Sequence, residues 1–150
     1  MREIKFRAWD KTTKGYLYNY REDGCSCEPF LSLNGKLMYE WVEEGGGGIG
    51  ELEDDRYILQ QYTGLHDKNG KEIYEGDILK STEKPNQYTR EYELSGIGVV
   101  VWSEKDTMYN LRWFDSNGRS VEPALKNMLG RYNEIIGNIY ENPELINARK

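Results

Sequence analysis

Apolar and basic residues alternate along Ile4, Lys5, Phe6, Arg7, Ala8 and Trp9, with the two-residue period of a half-buried strand. That period predicts Ile4, Phe6 and Ala8 on the inner face and directs Lys5 and Arg7 outward. A polar run over residues 10–15 then turns the chain into a tyrosine-rich segment over 16–20, so the start reads as a hairpin. Three Asn-Gly pairs, at 34–35, 69–70 and 117–118, mark further tight turns, because both residues tolerate positive φ. At the second pair, a two-residue turn would set Lys68 against Lys71 and Asp67 against Glu72, like charges that weaken a ladder. A three-residue loop with Gly70 left-handed sets Asp67 opposite Lys71 and Leu65 opposite Ile73, and this is the expected register. The third pair repeats the chemistry, with Asp115 opposite Arg119.

Strands are predicted over residues 77–80, 99–102 and 134–140. Ahead of the first, Gly76 permits a bulge or tight bend, and Asp77 is placed to bond nearby amides. Two short helices are expected. One spans 123–129, with Leu125, Met128 and Leu129 on one face and Gly130 ending it; the other follows Asn142 as cap and Pro143, with Arg149 and Lys150 at its negative end. The glycine run at 45–48 and the acidic stretch at 51–55 read as a loop. A second long polar stretch runs over 81–96. The fold class is therefore mainly β, with a hairpin extension and one or two short helices. A chain of 150 residues fits one domain over 1–150, with variable or flexible segments at about 22–55 and 81–96.

Composition sharpens this picture. Hydrophobic residues make up 37% of the chain, including 12 Tyr and 4 Trp, so large rings with polar tips must supply much of a thin core. Twenty basic residues against 26 acidic ones give a net charge of −6, which makes nucleic acid a less favoured partner, since phosphate is met by Lys and Arg. No apolar run approaches the ~20 residues that span a bilayer, and the start has no apolar signal stretch. The expected location is the cytoplasm, with no membrane association. Cys25 and Cys27 are too closely spaced for a long-loop disulfide.

Four blocks resemble the YopX family of phage and prophage proteins: REIKFRAWD at 2–10, QYTGLHDKNGKEIYEGDIL at 61–79, GVVVW at 98–102 and EIIGNIYENPEL at 134–145. The resemblance implies a compact, β-rich, barrel-like fold, a small SH3-like or related β-barrel, in a viral or prophage setting, in the cytoplasm of the host cell. It implies no established catalytic activity, cofactor or substrate, so no catalytic residue carries over.

The chemistry-bearing residues support no enzyme site. Cys25, Cys27 and the single histidine, His66, fall one ligand short of a closed zinc site and have the wrong cysteine spacing, so no metal or cofactor is expected. His66 beside Asp67 reads as hairpin surface, without a nucleophile partner. The glycine run lacks the Gly-Lys-Ser/Thr of a phosphate cradle. A hydrolytic carboxylate pair drawn from Glu72, Glu75, Asp77 or Glu141 needs a cleft separation that spacing does not supply. The leading expectation is a non-enzymatic accessory protein that binds a host or phage protein, with Trp9, Tyr62, Trp102, Lys5 and Arg7 as the candidate binding surface. The alternatives are a nucleic-acid-binding barrel using the same aromatic and basic residues and a hydrolase with an unrecognised carboxylate site. Open sheet edges would also allow homo-oligomers.

Overall fold

The computed structural model describes residues 3–17, 26–43, 45–52, 55–81, 96–114, 120–129 and 132–147. The fold is mainly β (56% strand, 7% helix), with a sheet curled into a half-barrel and two short helices. Two compact units divide the chain: Phe6–Gln60, and Met1–Lys5 together with Gln61–Lys150.

The first unit holds strands β1 (Phe6–Asp10), β2 (Gly15–Tyr16), β3 (Ser26–Leu31), β4 (Leu37–Glu43), β5 (Gly46–Glu51) and the start of β6 (Tyr57–His66). β1 and β2 form the expected hairpin, with Trp9 paired to Tyr16; residues 18–20 lie outside the described residues. Ala8 is buried as expected, but the residues before it depart from expectation. Ile4 and Phe6 are exposed, whereas Arg7 is half-buried. Alternation separates the faces without saying which one is covered. Here the Arg7 guanidinium lies 4.5 Å from the Tyr16 ring centre and its Nε donates to Gln60 Oε1 at 2.7 Å, so the cationic stem is the one that packs. Asp10 is buried and takes both Arg56 Nε (3.0 Å) and Nη2 (2.7 Å). Hydrogen bonding to Arg56, above all, holds the Asp10 carboxyl far below the usual carboxylate range.

β3, β4 and β5 make a three-stranded antiparallel sheet in that order. The Asn34-Gly35 turn is formed as expected: Gly35 N donates to Ser32 O, Ser32 N donates to Lys36 O, and Gly35 has φ +84°. The glycine run, expected as a loop, is instead strand β5. Its reason lies across the ladder: Gly50 pairs with Tyr39, and a Cβ on Gly50 would collide with the hydroxyl end of the Tyr39 ring. The absent side chain makes room for an aromatic neighbour.

The second unit contains the rest of β6, with β7 (Glu72–Tyr74), β8 (Asp77–Ser81), β9 (Ile97–Ser103), β10 (Met108–Phe114), β11 (Ser120–Val121), α1 (Leu125–Met128), β12 (Tyr132–Asn138) and α2 (Glu144–Asn147). Five strands form one sheet in the order β11-β10-β9-β8-β12. Ile73, Leu79, Val100, Tyr109, Leu111, Trp113 and Leu125 make its core. The Asn69-Gly70 hairpin has the expected three-residue loop: Asp67 N donates to Lys71 O, Gly70 N donates to Asp67 O, and Gly70 has φ +79°. The Asn117-Gly118 turn and its Asp115 and Arg119 lie outside the described residues.

The bend ahead of β8 is also as expected. Gly76 has φ +81°, and the buried Asp77 carboxylate accepts from Tyr74 N (2.8 Å) and Asn138 Nδ2 (3.1 Å). Gly76 N donates to Val100 O, and Gly76 O accepts from Ile139 N. One bend thus ties β7, β9 and the end of β12. Asn142 differs from its expected role as a side-chain cap: its Oδ1 accepts from Asn138 N at 3.3 Å, drawn to β12 because Gly137 has no side chain in the way.

Candidate functional site

A groove of about 370 Å³ lies in the second unit among the described residues, lined by residues that include Thr63, Leu65, Trp102, Met108, Tyr109 and Lys126. Its floor follows from strand register. β9 and β10 pair Val100 with Leu111 and Trp102 with Tyr109, so these four side chains share one face of the sheet. Val100 and Leu111 are fully buried. Trp102 extends the same face past the core, remains 42% exposed and meets Tyr109 edge-on at 5.1 Å. Met108, paired with Ser103 and 39% exposed, also borders the groove.

The β9–β10 turn at the rim is built around Asp106. Its carboxylate accepts from Ser103 Oγ (2.8 Å) and Asn110 Nδ2 (3.1 Å), bonds that lower its pKa, Ser103 first. On the opposite wall, Thr63 Oγ1 donates to Ile73 O at 2.8 Å and accepts from Leu65 N at 3.2 Å. These bonds fix the irregular stretch of β6 around Gly64, where the β6–β7 register shifts. Both walls are therefore set by hydrogen bonds before any ligand arrives.

The sequence-derived candidates take different places. Trp102 lines the groove. Tyr62 is buried, and Lys5 lies 5.7 Å from its ring centre, bonded to Glu72 and, at 3.1 Å, to Glu3. Glu72 also accepts from Tyr74 Oη at 2.7 Å. Lys5 has its pKa raised by Glu72 and then Glu3, and Glu72 has its pKa lowered by Lys5 and then Tyr74. Burial raises the Tyr62 phenol. Lys5 and Tyr62 thus belong to a polar cluster with Glu3, Glu72 and Tyr74, in which the side chains of Lys5 and Glu3 remain partly exposed to solvent. In the first unit, Trp9 is buried, 5.1 Å from Tyr16, and Arg7 is held by Gln60 and Tyr16. His66 is exposed, with Tyr62 Oη 3.3 Å from its ring nitrogens. Among the described residues no cluster of three potential metal ligands occurs; Cys25 lies outside them. Lys68 pairs with Glu134 at 2.8 Å.

Sequence reading missed Met108, Tyr109 and the Thr63–Leu65 wall. The signal for Tyr109 was present: a four-residue turn at 104–107 places it opposite Trp102. The β6 wall carried no local signal, because it depends on a register shift.

The chain is thus a mainly β protein whose second unit carries an open groove lined in part by Trp102 and Tyr109. The chain matches the YopX protein family over residues 5–147 and belongs to that family. Among solved structures it is similar to protein EF1440 from Enterococcus faecalis, at 25% sequence identity and a TM-score of 0.54, covering 97% of this chain and 99% of that one. It is also similar in fold to protein yopX from Bacillus subtilis, at 21% identity and a TM-score of 0.53, covering 97% of each chain. The comparison with curated proteins finds no match. The family and these neighbours are of unknown function.

Proposed function

We propose that the chain is a non-catalytic accessory protein of a phage or prophage that acts in the host cytoplasm and recognises a host or phage protein through the Trp102 groove. The observation that carries this reading is the coincidence of two exposed large hydrophobics, Trp102 and Met108, with a groove whose walls are already fixed. Aromatic and methionine side chains in preformed pockets are the usual anchors of protein interfaces. Lys126 is the one charged side chain among the described residues lining the groove, which favours an apolar anchor over a phosphate backbone or a substrate needing paired carboxylates.

The test is capture of partners from host cells on tagged, nuclease-treated protein, followed by affinity measurement with the purified partner. Trp102→Ser and Met108→Ser should each weaken binding at least about tenfold, the scale of a lost hot-spot side chain, without changing the fold. Equal affinity for wild type and both variants would exclude the groove.

A further inference from the structure

We propose that β5 is a self-pairing edge and that two copies of the chain join through it in an antiparallel, two-fold arrangement. The argument starts from which backbone groups each outer strand of the β3-β4-β5 sheet turns toward solvent. In an antiparallel ladder these groups alternate, every second residue bonding inward and the next outward. Leu52 N donates to Leu37 O at 2.9 Å. With the register pairing Tyr39 with Gly50 and Trp41 with Gly48, Gly48 and Gly50 bond to β4. The N–H and C=O groups of Gly47, Ile49 and Glu51 then point away from it.

The same reasoning on β3 starts from Ser32 N donating to Lys36 O at 2.9 Å. Phe30, paired with Met38, bonds inward, and Cys27, Pro29 and Leu31 point outward. Proline has no N–H, so Pro29 interrupts that edge at its centre, a common protection of an outer strand. β5 has no such device. It carries no proline, no lysine and no bulge, and Gly46, Gly47, Ile49 and Glu51 are exposed. Ile49 is 64% exposed. One edge of this sheet is blunted, and among the described residues no strand pairs with the outer side of the other.

A second copy fits this edge for two reasons. First, the outward positions are symmetric about Ile49. In an antiparallel two-fold pairing, Ile49 faces its own copy in a hydrogen-bonded pair, and each Gly47 faces the Glu51 of the other chain. No like charges oppose one another, and two exposed isoleucines cover each other. Second, the edge offers little charge to a foreign basic strand, because Glu51 is already paired with Lys36. The exposed Glu40, cross-strand from Ile49, would lie three strand spacings, ~14 Å, from its counterpart, beyond the ~8–10 Å screening length of physiological salt.

Sedimentation equilibrium across a dilution series tests this. The 17.6 kDa chain should approach twice that mass as concentration rises. Ile49→Pro removes one outward N–H and copies the Pro29 device, leaving the Gly48 and Gly50 bonds to β4. Ile49→Lys sets two cations face to face. Each should stay monomeric with an unchanged circular dichroism spectrum, whereas Leu33→Ser, which removes an exposed apolar side chain outside the edge, should dimerise like wild type. A wild-type chain that is monomeric throughout, a dimer that persists in Ile49→Lys, or a dimer lost equally in Leu33→Ser would each overturn the proposal. If Ile49→Pro perturbs the spectrum, Ile49→Lys alone decides.

Discussion

Replacing Asp67 by Ala should be among the most destabilising single changes in the second unit, although Asp67 sits in a surface hairpin. Asp67 as a residue is 7% exposed. It accepts from Asn69 N at 2.8 Å, Lys71 N at 2.9 Å, Ile135 N at 3.3 Å and Asn69 Nδ2 at 3.4 Å. The first two bonds hold the three-residue loop; the third ties the hairpin to β12. Hydrogen bonds to a charged group contribute ~1.5–3 kcal/mol each, but donors released at the turn regain water, so their loss counts for less. The Ile135 amide is partly buried and recovers little. A net cost of ~2–4 kcal/mol follows. Burial pushes the Asp67 pKa up, yet the amides of Lys71, Asn69 and Ile135 outweigh it and the net shift is downward. A carboxylate whose folded pKa lies below its unfolded value stabilises the fold above the unfolded pKa, ~3.9, and loses that contribution as pH falls through the folded value. Urea denaturation of wild type and Asp67→Ala should therefore show the full gap at pH 7 and a smaller one near pH 3. A gap under about 0.5 kcal/mol at pH 7, where ordinary surface substitutions fall, would refute the reasoning. So would a gap that does not shrink on acidification.

Gly50→Ala should cost ~1–3 kcal/mol in thermal or urea unfolding, the scale of overpacking, and Tyr39→Ala in the same chain should recover part of it by removing the ring the new methyl meets. Arg56→Leu should raise the Asp10 pKa, read from the carboxyl carbon in an NMR titration; because that folded pKa is depressed, the lost stability should be greatest at neutral pH and fade below pH ~4. An unmoved Asp10 titration would contradict the bidentate pair. Labelled single-stranded DNA and RNA should bind weakly at physiological salt, with little change in Lys5→Ala or Arg7→Ala, since Glu72, Glu3, Gln60 and Tyr16 already engage those cations. Submicromolar affinity with steep salt dependence would move nucleic acid to the first place among partners.

The elements legible in the sequence were those whose cause is local. Asn34-Gly35 and Asn69-Gly70 announce their turns because positive φ is a property of the residues themselves, and the charges around 67–72 selected the register. The bend at Gly76 and Asp77 and the short helix at Leu125 were readable for the same reason. What failed depended on distant partners. β5 reads as a loop until Tyr39 is known to lie over Gly50. Alternation in β1 separates two faces, but the rings of Tyr16 and Tyr62 determine that the cationic stems pack. Asp67 was expected to pair with Lys71 as a charge; Ile135, 68 residues onward, helps turn it into an acceptor of backbone amides. The groove was legible by one residue, Trp102, because its other wall comes from an irregular stretch of β6.

The ladder between β8 and β9, with Ile78 opposite Val99, Leu79 opposite Gly98 and Lys80 opposite Ile97, brings the two ends of the 82–95 connection to neighbouring positions on adjacent strands. Strands in register sit ~4.8 Å apart, a gap that a very short turn spans as well as a long segment. Closing a longer loop costs only ~0.6 kcal/mol per doubling of its length. Pairing of β8 with β9 does not by itself require a connection of that length. A short turn joining Ser81 to Gly96 should therefore keep the register that sets Ile78 opposite Val99.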